Sequence, residues 1–305
     1  MSKKIFFYSA VILLLLNFFA WQEVFSLCGP KFLKVDFLDV GQGDSAFIET
    51  PQGHQILIDG GPTSAVLQKL SERIPFWDKT IDLVILTHPE SDHMQGLFGV
   101  LQRYNVDYVL WTGVKKTAPE YEKWVSVLNQ KQNPNTNFLA SIFSSETATK
   151  VFSVSAGTKI RAGNSEIDVL FPLENLEGQE LKASANDTCV VTRLIYGKDS
   201  FLFTGDIDSK AEKELANSYE LASLESEVLK VAHHGSKYST ANLFLENVKP
   251  KIAVISVGKN SYGHPTSEVL QRLEKYDIQT LRTDQSGDIN MVSDGNSIKI
   301  LNNKF

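Results

Sequence analysis

At 305 residues, 42% hydrophobic and 22% charged, the chain has enough apolar material for a substantial core, as one large domain or two small ones. A formal net charge of −6 excludes a generally basic protein that coats nucleic acid, while leaving room for a local basic groove. Only two cysteines occur, Cys28 and Cys189, which excludes a disulfide framework and a Cys-rich zinc module.

Lys3-Lys4 precede an apolar run from Ile5 to Trp21, broken only by Tyr8, Ser9 and Asn17. A membrane span needs roughly 20 apolar residues, and this run is at the short edge of that. It reads as a secretory signal peptide or membrane anchor over residues 1–30, and the positive-inside rule places the rest of the chain outside the cytoplasm. From Lys31 the pattern turns to strands. Residues 32–38, 46–49 and 55–58, joined by turns at Gly41–Asp44 and Pro51–Gly53, predict an antiparallel meander. Ser64 is placed to cap a helix running to about Ile74.

Ile81–Leu86 reads as a buried strand, and Thr87-His88-Pro89-Glu90-Ser91-Asp92-His93-Met94-Gln95-Gly96 as a loop at its C-terminal end. Helices are expected over 97–104 and 117–130, with a strand at 106–110 between them. Residues 131–146, rich in Asn, Gln and Ser, read as a surface insertion. Strands at 150–152, 159–161 and 167–171 lead to a hairpin of 189–196 and 200–204, which ends in Gly205-Asp206. A helix over 209–217 and a strand over 227–232 follow, the strand ending in His233-His234-Gly235-Ser236. Ser239 then opens a helix, and a strand over 251–257 leads to a helix over 266–276. Short strands at 278–281, 289–292 and 297–301 close the chain, so residues 31–305 read as one domain without internal repeats.

Three strand ends share one grammar, an apolar run followed by metal-binding side chains: His88/Glu90/Asp92/His93, Asp206, and His233/His234. Alone, Gly205-Asp206 reads equally well as a turn. Together, such groups are costly to bury unpaired, and convergence on a metal accounts for all three. Imidazole with carboxylate suits zinc, manganese or iron rather than a thiolate-only site.

These motifs occur in order with Phe37–Asp44, Leu57–Gly61, Phe203–Asp206, Val231–Ser236, Tyr262-Gly263-His264-Pro265 and Arg282–Gly287. The set resembles the metallo-β-lactamase superfamily, and most closely the extracytoplasmic hydrolase domain of ComEC-type DNA-uptake competence proteins, from about Phe32 to the C-terminus. The resemblance implies an α/β fold, a four-layer αβ/βα sandwich, following the N-terminal signal or anchor segment. One or two divalent ions, zinc or manganese, are implied at the rim of two facing sheets.

By the same resemblance Asp92 and His93 match second-metal ligands, Asp206 the bridging carboxylate, and His233 or His234 the closing histidine. His88 and Glu90 fall at first-metal positions, Glu90 standing where the superfamily has His. The superfamily's histidine before the bridging Asp is absent. Asn186-Asp187-Thr188-Cys189 stands where competence-type domains have Asn-Asn-x-Ser, so Cys189 is expected as a small buried residue, with an added soft ligand as the alternative. Asp92 is expected as proton acceptor or metal anchor. His264 is expected either to donate to a leaving group or phosphate, or to serve structure alone. Lys230, Lys237, Lys249 and Lys251 read as a basic margin or as scattered surface charge.

The resulting expectation is an exported, metal-dependent hydrolase of phosphodiesters, DNA among them, with the membrane as a partner through the N-terminal segment. No further apolar span follows Trp21, so an anchored or secreted nuclease-like enzyme is expected rather than the uptake channel. The rivals are hydrolysis of a small ester, lactone or phosphocholine-type substrate, and a surface-binding module that has lost turnover. With Glu90 as a ligand, the site would harden toward manganese.

Overall fold

The computed structural model describes residues 3–28, 32–133, 148–181, 184–219 and 221–301. The chain divides into two units, 1–32 and 33–305. In the first, helix α1 covers Lys3–Cys28 and exposes large apolar side chains, among them Phe7, Leu14 and Phe18. Among the described residues no helix is long and apolar enough to cross a membrane. Parts of the targeting segment (residues 1–2 and 29–30) and most of the expected surface insertion (134–146) lie outside the described residues.

The second unit is built on two sheets. The first takes β1 (Leu33–Phe37), β2 (Ala46–Glu49), β3 (Gln55–Ile58), β4 (Thr80–Ile85), β5 (Asn105–Trp111), β6 (Lys150–Ser153), β14 (Ile289–Ser293) and β15 (Ile298–Leu301). Their order is β15-β14-β1-β2-β3-β4-β5-β6. The second takes β7 (Lys159–Ala162), β8 (Ser165–Phe171), β9 (Val191–Tyr196), β10 (Asp199–Phe203), β11 (Val228–Lys230), β12 (Ile252–Ile255) and β13 (Gln279–Arg282), ordered β13-β12-β11-β10-β9-β8-β7. The helices are α2 (Ala65–Ser71), α3 (Ser91–Arg103), α4 (Pro119–Gln132), α5 (Ser209–Ser218), α6 (Leu221–Leu224), α7 (Asn242–Val248), α8 (Ser267–Lys275) and α9 (Thr283–Ser286).

Strand periodicity explains the layering. Side chains alternate faces along a strand, so Phe201 and Phe203 point one way and Leu202 the other. Phe201 and Phe203 join Phe37, Ile48, Ile58 and Ile85 in a core between the sheets. Leu202, Leu229 and Ile255 pack instead on Leu215 of α5, Phe244 of α7 and Leu273 of α8. On the outer face of the first sheet Phe47, Leu57 and Val84 meet Leu70 of α2, Leu97 of α3 and Trp124 of α4. Three apolar interfaces between four layers give the αβ/βα sandwich, and each buried Leu, Ile or Phe contributes about 1.5–3 kcal/mol.

The β1–β2–β3 meander is antiparallel. Beyond it, β3–β4–β5–β6 and β10–β11–β12–β13 pair in parallel. The carboxyl ends of these parallel strands are where open α/β sheets present ligands.

Several helix starts differ from expectation. Helix α3 begins at Ser91, so Asp92 and His93 occupy its first turn rather than a loop. The reason is local: Pro89 disfavours a helical residue before it, Glu90 is extended, and the helix starts immediately after. Ser64 precedes α2 but makes no side-chain cap. The Ser239 hydroxyl donates to the carbonyls of Ala232 and Ser236, and α7 starts later, at Asn242. Thr266 precedes α8 without capping it and donates to the Gly235 carbonyl.

Candidate metal centre

The site assembles at four strand ends. Asp59 follows β3, His88 follows β4, Asp92 and His93 open α3, Asp206 follows β10, and His233 and His234 follow β11. The start of α3 is drawn onto the turn after β3, where Gly60 N–H donates to the His93 carbonyl at 2.7 Å and Gly96 N–H to the Gly61 carbonyl at 2.9 Å. This approach needs glycine at 96, since a Cβ there would lie 2.0 Å from the Gly60 carbonyl oxygen. After β11 the chain reverses through His233 and His234, both left-handed at φ 50° and 52°. Two non-glycine residues in that region cost of order 1–3 kcal/mol each, a strain that concentrates at functional sites. The reversal separates the two rings: the His234 side chain is 2% exposed and that of His233 31%.

The donor atoms of Asp92, His93, Asp206 and His234 all lie within 4.8 Å of one another. His234 Nε2 is 3.4 Å from Asp92 Oδ2 and 3.3 Å from Asp206 Oδ2, and His93 Nε2 is 3.4 Å from Asp206 Oδ1. Nitrogen and oxygen ligands held ~2.0–2.1 Å from a tetrahedral ion are ~3.3–3.4 Å apart, so the observed separations fit a divalent cation.

Proton bookkeeping supports the same fit. Thr87 Oγ1 donates its one proton to Asp59 Oδ2 at 2.7 Å, so at 3.0 Å from His88 Nδ1 it accepts. His93 Nδ1–H donates to Asp59 Oδ2 at 2.8 Å, and His234 Nδ1–H to the Ser256 carbonyl at 2.8 Å. Each ring is thereby fixed by its Nδ1, as metal-ligating histidines are. The Nε2 atoms of His88, His93 and His234, with Asp206 Oδ1, are buried without a hydrogen-bond partner among the described residues. Buried atoms of this kind, gathered at one point, fit a divalent ion better than a structural turn.

Charge is concentrated here. Burial works against protonation of His93, but Asp206, Asp59 and Asp44 outweigh it and hold the ring charged well above its usual range. For His234 burial is likewise overcome by Asp206 and Asp44. His88 goes the other way: burial and the neighbouring His93 push it down to about 3. Burial disfavours the Asp206 carboxylate, yet His234, His93 and Lys230 keep it ionised far below the usual carboxylate range. The carboxylates of Asp44, Asp59, Asp92 and Asp206 thus favour positive charge at this point, which protons on His93 and His234 supply and which a bound cation would supply in their place.

Lys230 is inside this well rather than on a basic margin. Its ammonium is 4% exposed, pairs with Asp44, donates to the Gly205 carbonyl at 2.9 Å and lies 3.5 Å from Asp206. Glu90 is not among the converging donors. Its carboxylate pairs with Lys116 Nζ at 2.7 Å on the surface, and its side chain is 38% exposed. Glu90 is the extended residue before α3, and with its carboxylate on Lys116 it is not placed with the donors of Asp92 and His93. His233 stays outside the cluster, with Nε2 3.9 Å from Asp206 and Nδ1 3.3 Å from Asn186 Nδ2. His264 lies further out, its ring centroid 5.5 Å from that of His233. Cys189 is fully buried and its sulfur accepts from the Asp206 N–H at 3.3 Å, which places it as a packing residue behind the carboxylate.

Asp44, Asp59, Thr87 and Lys230 are site residues that reading the strand ends alone does not single out. Asp44 and Asp59 stand inside the ordered motifs, but their role depends on contacts across the fold. Asp44 reaches Lys230 and lies 3.4 Å from His234 Nδ1, and its backbone N–H donates to the Asp92 carbonyl at 3.2 Å.

A four-layer sandwich with a His/Asp cluster at the ends of its central strands defines a metal-dependent hydrolase. The chain belongs to the metallo-β-lactamase superfamily, whose family model matches residues 38–259. It is 32% identical over 274 residues to ComE operon protein 3 of Bacillus subtilis, covering 84% of this chain and 32% of that protein. It is 28% identical over 256 residues to competence protein ComA of Neisseria gonorrhoeae, covering 82% of this chain and 30% of that one. The chain thus spans about a third of the length of these curated relatives. Among solved structures, the metallo-β-lactamase fold protein YhfI of Bacillus subtilis superposes with a TM-score of 0.54 at 13% identity, covering 86% of this chain and all of that one, a likeness of fold.

Proposed function

We propose that this chain is an exported, metal-dependent phosphodiesterase acting on nucleic acid, with Asp92, His93, Asp206 and His234 as the principal metal ligands. The observation that carries the reading is the set of three fixed imidazoles whose Nε2 atoms are buried without a hydrogen-bond partner among the described residues, those of His93 and His234 lying beside Asp206. Of the three, His88 is the one that burial keeps neutral, and it would be available to a second ion. When bound, a divalent ion supplies an acidified water and positive charge for an anionic transition state. The chain's own residues arrange the rest. Asp59 and Ser256 hold the His93 and His234 rings, and Lys230 offsets the charge of Asp44 and Asp206. Burial disfavours the Asp92 carboxylate, but the hydrogen bond from His234 and the charge of His93 hold it ionised well below the usual range, so that this 33%-exposed side chain serves as a ligand on the solvent side of the cluster. His233 and His264 line the outer approach, where a leaving group or phosphate would meet them.

Nucleic acid is favoured as substrate by the similarity to competence proteins. Export is favoured by Lys3-Lys4 ahead of the Ile5–Trp21 run and by the apolar side chains that α1 exposes. The test pairs elemental analysis of residues 31–305 with hydrolysis of phosphodiesters under zinc and manganese titration. Stoichiometric metal with turnover is expected, and Asp206→Ala should lose both while keeping its circular dichroism. A protein that takes up no divalent metal, or an Asp206→Ala variant with full metal and turnover, sinks the reading.

A further inference from the structure

A file of aromatic rings leads from the metal cluster to the surface. His234 is followed by His233 at 6.2 Å between centroids, then His264 at 5.5 Å, then Tyr262, stacked on His264 at 5.8 Å and 30°. The first ring is buried and the last is 73% exposed. Tyr262 borders a cavity of about 360 Å³ whose other walls include Ser236, Lys237, Tyr238, His264 and Thr266. Tyr238 is 66% exposed, with Lys237 Nζ 5.1 Å above its ring.

Two large exposed rings at one cavity are unusual on a soluble surface unless something covers them. The loop that carries Tyr262 is also held in shape. Asn260 Oδ1 accepts from the backbone N–H of Tyr262 and of His264, each at 3.1 Å, and Asn260 Nδ2 donates to the His264 carbonyl at 2.8 Å. His264 Nδ1 is buried and has no hydrogen-bond partner among the described residues, leaving a polar atom between the rings. A rigid loop presenting an exposed ring binds without an ordering cost.

The charge of the cavity decides between a phosphate and a base as occupant. Lys237 and Glu268 both line it and act on one another electrostatically, so the wall is close to neutral. A neutral, ring-lined wall is poor at capturing phosphate and good at stacking an uncharged π-face.

We infer that Tyr262, with Tyr238, forms a stacking platform for an unpaired nucleobase, so that the substrate enters as a single strand with one base on the platform and the adjoining phosphodiester directed to the metal cluster. The inference rests on the phosphodiesterase reading and narrows it to unpaired nucleic acid. Paired bases keep their faces within the duplex and cannot stack on a side chain.

The experiment has two arms. Wild type is first assayed on bis(4-nitrophenyl) phosphate, an ester without bases, with zinc or manganese. No turnover there removes the phosphodiesterase reading itself. The second arm measures binding by fluorescence anisotropy of a labelled, phosphorothioate-linked decathymidylate that resists cleavage. Tyr262→Ala should weaken binding roughly five- to hundredfold, the range for loss of one base–aromatic stack. Tyr262→Trp should retain wild-type affinity, and an abasic decamer should bind wild type as poorly as the decathymidylate binds Tyr262→Ala. Equal affinities for wild type and the Tyr238→Ala/Tyr262→Ala double variant overturn the platform. So does an equal loss on blunt duplex. Because both tyrosines are exposed, melting curves should superimpose, which separates a loss of binding from a folding failure.

Discussion

Asp59 touches no surface that a substrate could reach, yet it sets the proton positions of two imidazoles. One carboxylate oxygen takes the His93 and Thr87 side-chain donors, and the other takes the Thr87 backbone N–H at 2.8 Å. Asp59→Asn keeps the shape but removes the charge and turns one acceptor into a donor. Metal affinity, read by competition with a chromogenic chelator, should fall ~10–100-fold, as for outer partners of ligating histidines. Affinity equal to wild type would show that His93 needs no such partner. Glu90 gives the opposite expectation. Its pair with Lys116 is partly exposed, and such pairs contribute about 0–1 kcal/mol. Metal titrations of wild type and Glu90→Ala should therefore superimpose, with melting temperatures nearly equal; a raised metal requirement would place Glu90 back at the ions.

At the level of elements, short apolar runs make the central strands readable, because each has one face in the inter-sheet core and the other under helices, so that both faces are apolar. Helix starts are less readable where function occupies the first turn. In α3 the opening residues are Ser91, Asp92 and His93, polar side chains chosen by the site, so the apolar period begins only at Met94. The Ser239 hydroxyl is similarly diverted to the His-His turn, and the work of holding the start of α7 passes to Glu212 on α5. Both Glu212 oxygens accept backbone N–H groups, one from Thr240 and one from Ala241 at 2.8 Å. Burial pushes this carboxyl up to about 7, against an ordinary 4.5. A raised acid binds its proton more tightly when folded, so its contribution is fully present below about 4.5 and declines as pH rises to about 7. The loss is bounded by ~3 kcal/mol, from 1.36 kcal/mol per pKa unit. Melting temperature measured from pH 4.5 to 7.5 should fall more steeply for wild type than for Glu212→Gln, which lacks the titration. Parallel curves would mean that the two backbone donors keep Glu212 ionised throughout.

For the molecule as a whole, the order of motifs along the chain made the family readable, since most of the motifs lie at strand ends of the sandwich and the strands bring those ends together. What the motifs could not give is the second tier of the site. Lys230, Asp44 and Asp59 belong to three different strand ends, and only the packed sheets show that the lysine is turned inward and paired with Asp44 rather than exposed with Lys251. The same logic bears on which part of the chain is needed to fold. Among the described residues, all three apolar cores, both sheets and the donor cluster draw on residues from Leu33 onward. β1, the first strand of that unit, is bonded on both edges, to β2 and to β14, so its register is fixed without anything preceding it. A fragment of residues 31–305 should therefore unfold cooperatively, with a guanidinium midpoint within experimental error of the full chain in detergent. It should also bind metal with unchanged stoichiometry. Removing α1 takes away exposed apolar surface, so solubility should rise rather than fall. Aggregation of every fragment beginning between residues 29 and 33, or a non-cooperative transition, would show that the first unit contributes to the core and that the sandwich does not stand alone.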